Sequence, residues 1–128
     1  MMNKRLSVIV AVMFLAVGAF VMAHGDEAHG GDQVTIKGEI VDMACYVAHE
    51  AKGADHQACA KRCVKGGQPM GLLTADGDLY LLYASHADGS AFEAAKELAG
   101  EMVALTGKES GQNGIKGIEV ASVEKSDG

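Results

Sequence analysis

His56, Cys59 and Cys63 fall within eight positions of one another in "HQACAKRCVKGGQPMG", in a chain with one other cysteine, Cys45. On a helix turning about 100° per residue, positions i, i+3 and i+7 share a stripe about 60° wide, so these three side chains project from one face. Three thiolates and one imidazole suit a closed tetrahedral Zn(II) site, and the same thiolates suit Cu(I). Cys45 completes such a Cys3His set if its segment folds opposite the stripe. Asp42 and His49 are reserve ligands, or groups that orient His56 and balance thiolate charge. Met43 and Met70 are soft donors for copper that more commonly serve as packing.

The same residues admit two other readings. Cysteine is a frequent small core residue, and i, i+3, i+7 is the stripe any amphipathic helix turns inward; the histidine and the small flanks Ala58, Ala60 and Val64 weigh against this. Alternatively, Cys45 pairs with one helical cysteine and staples the helix to the rest of the fold. A bond between Cys59 and Cys63 along one helix would be strained and reducible, which suits thiol–disulfide exchange better than a permanent link. The CxxxC spacing is less specific than paired CxxC knuckles.

The elements that must position these groups begin at "VTIKGEIVDMACY". Val34, Ile36 and Ile40 alternate with polar residues at the period of a half-buried strand, Gly38 suits a bulge or bend, and Cys45 falls at the strand's end. Asp55 to Lys65 reads as a helix ended by Gly66, Gly67 and Pro69. "MGLLTADGDLYLLYA" reads as a hairpin from about Met70 to Ala84 around Asp76-Gly77. Ser90, with Glu93 three residues on, caps a second helix over Ala91 to Leu98, which Gly100 ends. Two further strands, "EMVALTGKES" and "IKGIEVASVEK", flank a Gly-Gln-Asn-Gly turn at 111–114.

Five strands with a helix between the third and fourth follow the order of a small Greek-key barrel. The fold class expected is therefore mainly β: an OB-like five-stranded barrel over 34–125, with a helical insertion at about 54–66 between strands 1 and 2. Val34, Ile36, Ile40, Leu73, Leu79, Leu81, Val103, Leu105, Ile118 and Val120 are its expected core.

Charge and address restrict the partners. The opening "MMNKRLSVIVAVMFLAVGAFVMA" has two cations, an apolar run and a Val-x-Ala site, the pattern of a signal peptide over 1–23 cleaved after Ala23. An uncleaved anchor is the other reading, because the run nearly spans a thin bilayer. Export to the periplasm or the extracellular space follows. There, thiols tend to be oxidised or metal-bound, and three cysteines cannot all pair within one monomer. Without residues 1–23, 9 Lys+Arg face 17 Asp+Glu, a net charge of −8. Such a domain repels nucleic acid and anionic lipid, so the metal ion is the expected partner and no membrane contact follows cleavage. The next segment, "HGDEAHGGDQ" (24–33), reads as a solvated leader in which His24 and His29 are weak copper candidates.

"GEIVDMACY", "HQACAKRCVKGGQPMGLL", "GDLYLL" and "AGEMVALTGKE" together resemble a family of small exported bacterial domains of uncertain function. The family pattern is a DxxCY opening, an HxxCxxxC helix and a GxPxG step. The resemblance spans about residues 34–125 and implies an OB-like barrel with a shared cysteine/histidine cluster. It carries over onto Asp42, Cys45, Tyr46, His56, Cys59, Cys63, Gly67, Pro69 and Gly71, and implies no particular activity.

No Ser-centred elbow, HExxH or phosphate loop is present; "GKESGQNG" lacks P-loop order. His56 lies one turn before Cys59, but no oxyanion hole or positioned acid is legible beside it. The expected function is a non-enzymatic exported module holding Zn(II) or Cu(I) through Cys45, His56, Cys59 and Cys63. The alternatives are a thiol–disulfide redox protein, or a ligand-binding barrel with a disulfide staple.

Overall fold

The computed structural model describes residues 31–128; the expected signal peptide (1–23) and the leader histidines His24 and His29 lie outside the described residues. The elements run β1 (Gln33–Asp42), α1 (Met43–His49), a 3-10 turn (Ala54–His56), α2 (Gln57–Lys65), β2 (Met70–Leu73), β3 (Leu79–Ala84), α3 (Ser90–Glu97), β4 (Met102–Gln112) and β5 (Ile115–Lys125). The strands close into a barrel in the order β1-β2-β3-β5-β4. Only the β3–β5 seam is parallel. This is the expected OB-like barrel with a helical insertion after the first strand.

β1 makes the closure possible because it serves two neighbours. Its first part, from Gln33, pairs with β4, its last part pairs with β2, and Glu39 lies opposite both Met102 and Leu73. The hand-over occurs at Gly38–Glu39, where both ladders keep a continuous register and the in–out alternation runs on through Ile40, so the bulge expected at Gly38 is not formed. The β4–β5 hairpin turns through Asn113-Gly114, both at positive φ. That is the backbone twist a two-residue hairpin loop requires.

Ile40, Leu72, Val103, Leu105, Ile118 and Val120 fill the barrel; Leu73 is buried as well, but outside that cluster, opposite Leu79. In β3 the expected inward residues are corrected: Tyr80 and Leu82 face the core, while Leu79 and Leu81 are half-buried outside it. "LYLLYA" is apolar on both faces, so alternation alone does not choose a side; the pairing of Tyr80 with Leu72 does. Val34 is also only half-buried and Ile36 packs at the core's edge; both belong to the first part of β1, which pairs with β4 alone.

The start of α3 is a second correction. Ser90 is its first residue instead of its cap, and its N–H donates to Asp88 Oδ1 at 2.9 Å. Accepting from Ser90 holds the Asp88 carboxyl below the usual carboxylate range.

The insertion contains two helices where one was expected. α1 ends on Glu50, a non-glycine residue in the left-handed region at φ 55°. Such a residue costs roughly 1 kcal/mol relative to an unstrained backbone. Glu50→Gly is expected to raise stability by about 0.5 kcal/mol, net of the entropy glycine loses on folding, as read from the urea midpoint at unchanged m-value.

Candidate metal centre

β1 leaves the barrel at Asp42, opposite Met70 of β2. Asp42 is 0% exposed. Its Oδ1 accepts the Ala44 N–H at 2.9 Å and starts α1. Cys45 therefore sits in the first turn of a helix and not, as the alternation suggested, at the end of the strand. The strand stops three residues earlier because a carboxylate there caps the following turn. The sequence signal was Asp42 itself, standing before the helix-compatible run Met-Ala-Cys-Tyr-Val-Ala.

The second helix is fixed at both ends. Before it, the His56 N–H donates to the Gly53 carbonyl at 3.0 Å, and the Gly53 N–H donates to Glu39 Oε1 at 2.6 Å, tying the loop to the barrel. At its first residue, Gln57 lies against Gly100, where an added Cβ would fall 2.5 Å from the Gln57 Cα. At its end, Gln68 N–H to Cys63 carbonyl and Gly67 N–H to Val64 carbonyl, each 3.1 Å, form a Schellman pair with Gly67 at φ 104°. Ala60 and Val64 of α2 are buried in the core, and His56, Cys59 and Cys63 are half-buried. The Met43 N–H donates to the Pro69 carbonyl at 3.0 Å, so the two ends of the insertion are bonded to each other.

These constraints bring the candidate ligands together as two overlapping groups. The sulfurs of Cys45, Cys59 and Cys63 lie within 4.8 Å of one another, with Cys59 and Cys63 Sγ 4.0 Å apart. A tetrahedral Zn(II) with Zn–S bonds of about 2.3 Å has sulfur–sulfur edges of about 3.8 Å, so the present spacing needs little adjustment. Donor atoms of Asp42, Cys45 and His56 form the second group within the same 4.8 Å limit. Cys45 is common to both. All three cysteines are free thiols.

Two donors in the second group lack partners. Asp42 Oδ2 and His56 Nε2 are buried without a hydrogen bond. A buried carboxylate oxygen with no partner is costly, and the groups nearest it are thiols. Arg62, from the exposed side, donates to Cys59 Sγ with Nη2 at 3.9 Å.

The local field opposes ionisation of the Cys45 and Cys63 sulfurs. Interaction with the Asp42 carboxylate, then burial, then the negative charge of Asp42 and of the other two sulfurs push the Cys45 thiol up to about 11 from 9.0. Burial, followed by Cys59 and Asp42, pushes Cys63 up as well. A thiol whose folded pKa lies above its unfolded value contributes stability that is fully present below the unfolded pKa and is lost on rising through the folded one. The metal-free protein is therefore expected to lose stability between about pH 9 and pH 11, which denaturation midpoints across that window would read. A bound cation reverses the field and favours the thiolates.

The remaining candidates lie elsewhere. His49 is exposed in the last turn of α1, outside both groups. Met70 is fully buried in the core, and Met43 packs its thioether over Gly71, so both serve as packing. Sequence reasoning did not single out Glu39, and read Gly100 only as the end of the second helix; these are the residues that hold the insertion against the barrel. Neither carries a motif, and their roles exist only once β1 and the segment before β4 are brought together. A separate open cleft of about 430 Å³ runs along Leu81, Tyr83, Ser110, Gln112 and Ile115, and none of the candidate ligands lines it.

No family model, curated protein or solved structure matches the chain.

Proposed function

We propose that this is an exported, non-enzymatic metal-binding module that holds Zn(II) or Cu(I) through Cys45, Cys59 and Cys63 with His56 as the nitrogen donor. The observation that carries the reading is three free thiols within 4.8 Å of one another, with buried Asp42 and His56 joined to them through Cys45. Donors of this composition are soft to borderline, as thiophilic divalent or monovalent ions require. Export rests on the basic, apolar and small-residue pattern of 1–23.

Native mass spectrometry of the chain purified from the bacterial periplasm, before and after chelation, tests the proposal. The expected result is a metal-bound mass that chelation removes, together with three thiols that become alkylatable. A folded protein that stays metal-free after exposure to Zn(II) and to Cu(I) would overturn it.

One observation favours a second reading, thiol–disulfide exchange: the 4.0 Å separation of the Cys59 and Cys63 sulfurs, with Cys45 in range to resolve a mixed disulfide. It requires a reversible two-electron couple in the metal-free protein. Absence of any such couple, with the native thiols inert, excludes it.

A further inference from the structure

The two ligand groups are not interchangeable descriptions of one site. One offers three sulfurs; the other offers a carboxylate oxygen, an imidazole nitrogen and the Cys45 sulfur. They meet only at Cys45, whose thiolate has lone pairs to serve two ions at once. From this juxtaposition we infer that the centre holds a pair of zinc ions bridged by the Cys45 sulfur, one on Cys45, Cys59 and Cys63 and the other on Asp42, Cys45 and His56. The inference rests on the metal-binding reading above, extends it from one ion to two, and moves His56 from the three-sulfur ion to the second one, because His56 is grouped with Asp42 and Cys45 and not with Cys59 and Cys63.

Three observations support the second position. Asp42 is fully buried, its Oδ1 is occupied by the Ala44 N–H, and its Oδ2 has no hydrogen-bond partner. His56 Nε2 is likewise buried and free of a partner. His56 Nε2 can therefore take an ion without giving up an existing bond, and at Asp42 the only contacts displaced are with thiols that lose their own protons to the ion. Their chemistry also selects the metal: carboxylate and imidazole are harder donors than thiolate, and together with one sulfur they suit Zn(II) better than Cu(I).

Charge points the same way. Three thiolates and one carboxylate carry four negative charges. One divalent ion cancels half of them, leaving the buried Asp42 beside a thiolate-rich ion with the exposed Arg62 as an offset. Two divalent ions cancel all four. Each thiol gives up its proton to solvent as its sulfur takes an ion, so no oxidant or reductant is involved.

Zn(II) titrated anaerobically into the reduced, metal-free mature chain, with stoichiometry read by native mass spectrometry, tests the inference. The wild type is expected to take two ions. Asp42→Asn, which keeps an oxygen for the Ala44 N–H, and His56→Ala are each expected to retain one ion and to bind the second at least about tenfold more weakly. Circular dichroism and a thermal melt of each variant establish that the barrel is intact. Saturation at one ion per chain overturns the pair and leaves the single-ion clamp standing, whereas no bound ion overturns both. Two ions in the wild type that persist unchanged in both variants also overturn the pair, because the second ion then sits elsewhere.

Discussion

Replacing Cys45 by Ser is expected to weaken zinc binding by more than 100-fold while Cys59→Ser and Cys63→Ser each leave a weaker residual site. Removing even a group that only orients a ligand costs about 10- to 100-fold in metal affinity, and Cys45 is the sulfur common to both ligand groups. The serine hydroxyl matches the thiol in shape but does not ionise at neutral pH, so α1 and its Asp42 cap should survive. Competition with a chromophoric zinc chelator measures the effect. The same titration in the wild type should tighten steeply as pH rises from 6 towards 9. Zn(II) must displace protons that the surrounding carboxylate and sulfurs hold on Cys45 and Cys63, and each displaced proton contributes up to about tenfold per pH unit. A Cys45→Ser protein that binds zinc as tightly as the wild type would remove Cys45 from the centre altogether.

Gly100→Ala is expected to be strongly destabilising, at about 3 kcal/mol. Two effects coincide there. Gly100 has φ 79°, a conformation that costs an L-residue roughly 1–2 kcal/mol, and the added Cβ would meet backbone, 2.5 Å from the Gln57 Cα, instead of a side chain able to swing away. Overpacking against a fixed neighbour adds about 1–3 kcal/mol. The Gly100 N–H also donates to the Ile40 carbonyl at 2.7 Å, so the strain is transmitted to the end of β1 that carries Asp42. A urea titration reads the loss. Zinc affinity of the surviving folded fraction should fall with it, because Gln57 begins the helix bearing Cys59 and Cys63. A midpoint within about 0.5 kcal/mol of the wild type, the range typical of an inert surface change, would mean that α2 is not seated on Gly100.

Much of the barrel was legible because its strands carry strong local signals: the alternation in 34–40, Asp76-Gly77 in one hairpin and Asn113-Gly114 in the other. The illegible part was decided by pairings between distant residues. "LYLLYA" presents apolar side chains to both faces, and its inward set was chosen by Leu72 across the sheet. α1 has no buried residue of its own and therefore no amphipathic pattern to announce it; a single capping carboxylate forms it, and that carboxylate first read as the tail of a strand. In the candidate site, the helical stripe of His56, Cys59 and Cys63 followed from spacing alone. The place of Asp42 among them did not, because its burial depends on the barrel closing around the end of β1.

Asp42 and Met70 stand on the same rung of the β1–β2 ladder, so everything between them is an excursion that the sheet does not count. Closing a longer loop costs little, since the entropic penalty rises only with the logarithm of its length. What ties the excursion to the barrel wall is a short set of anchors: Ala60 and Val64 in the core, Glu39 on Gly53, and Gln57 on Gly100. The ligand-bearing segment is in this sense a cassette. Ala51 and Lys52, between the end of α1 and the Gly53 anchor, can be exchanged or lengthened without shifting a strand, and the same barrel rung is a port onto which a different set of donors can be grafted.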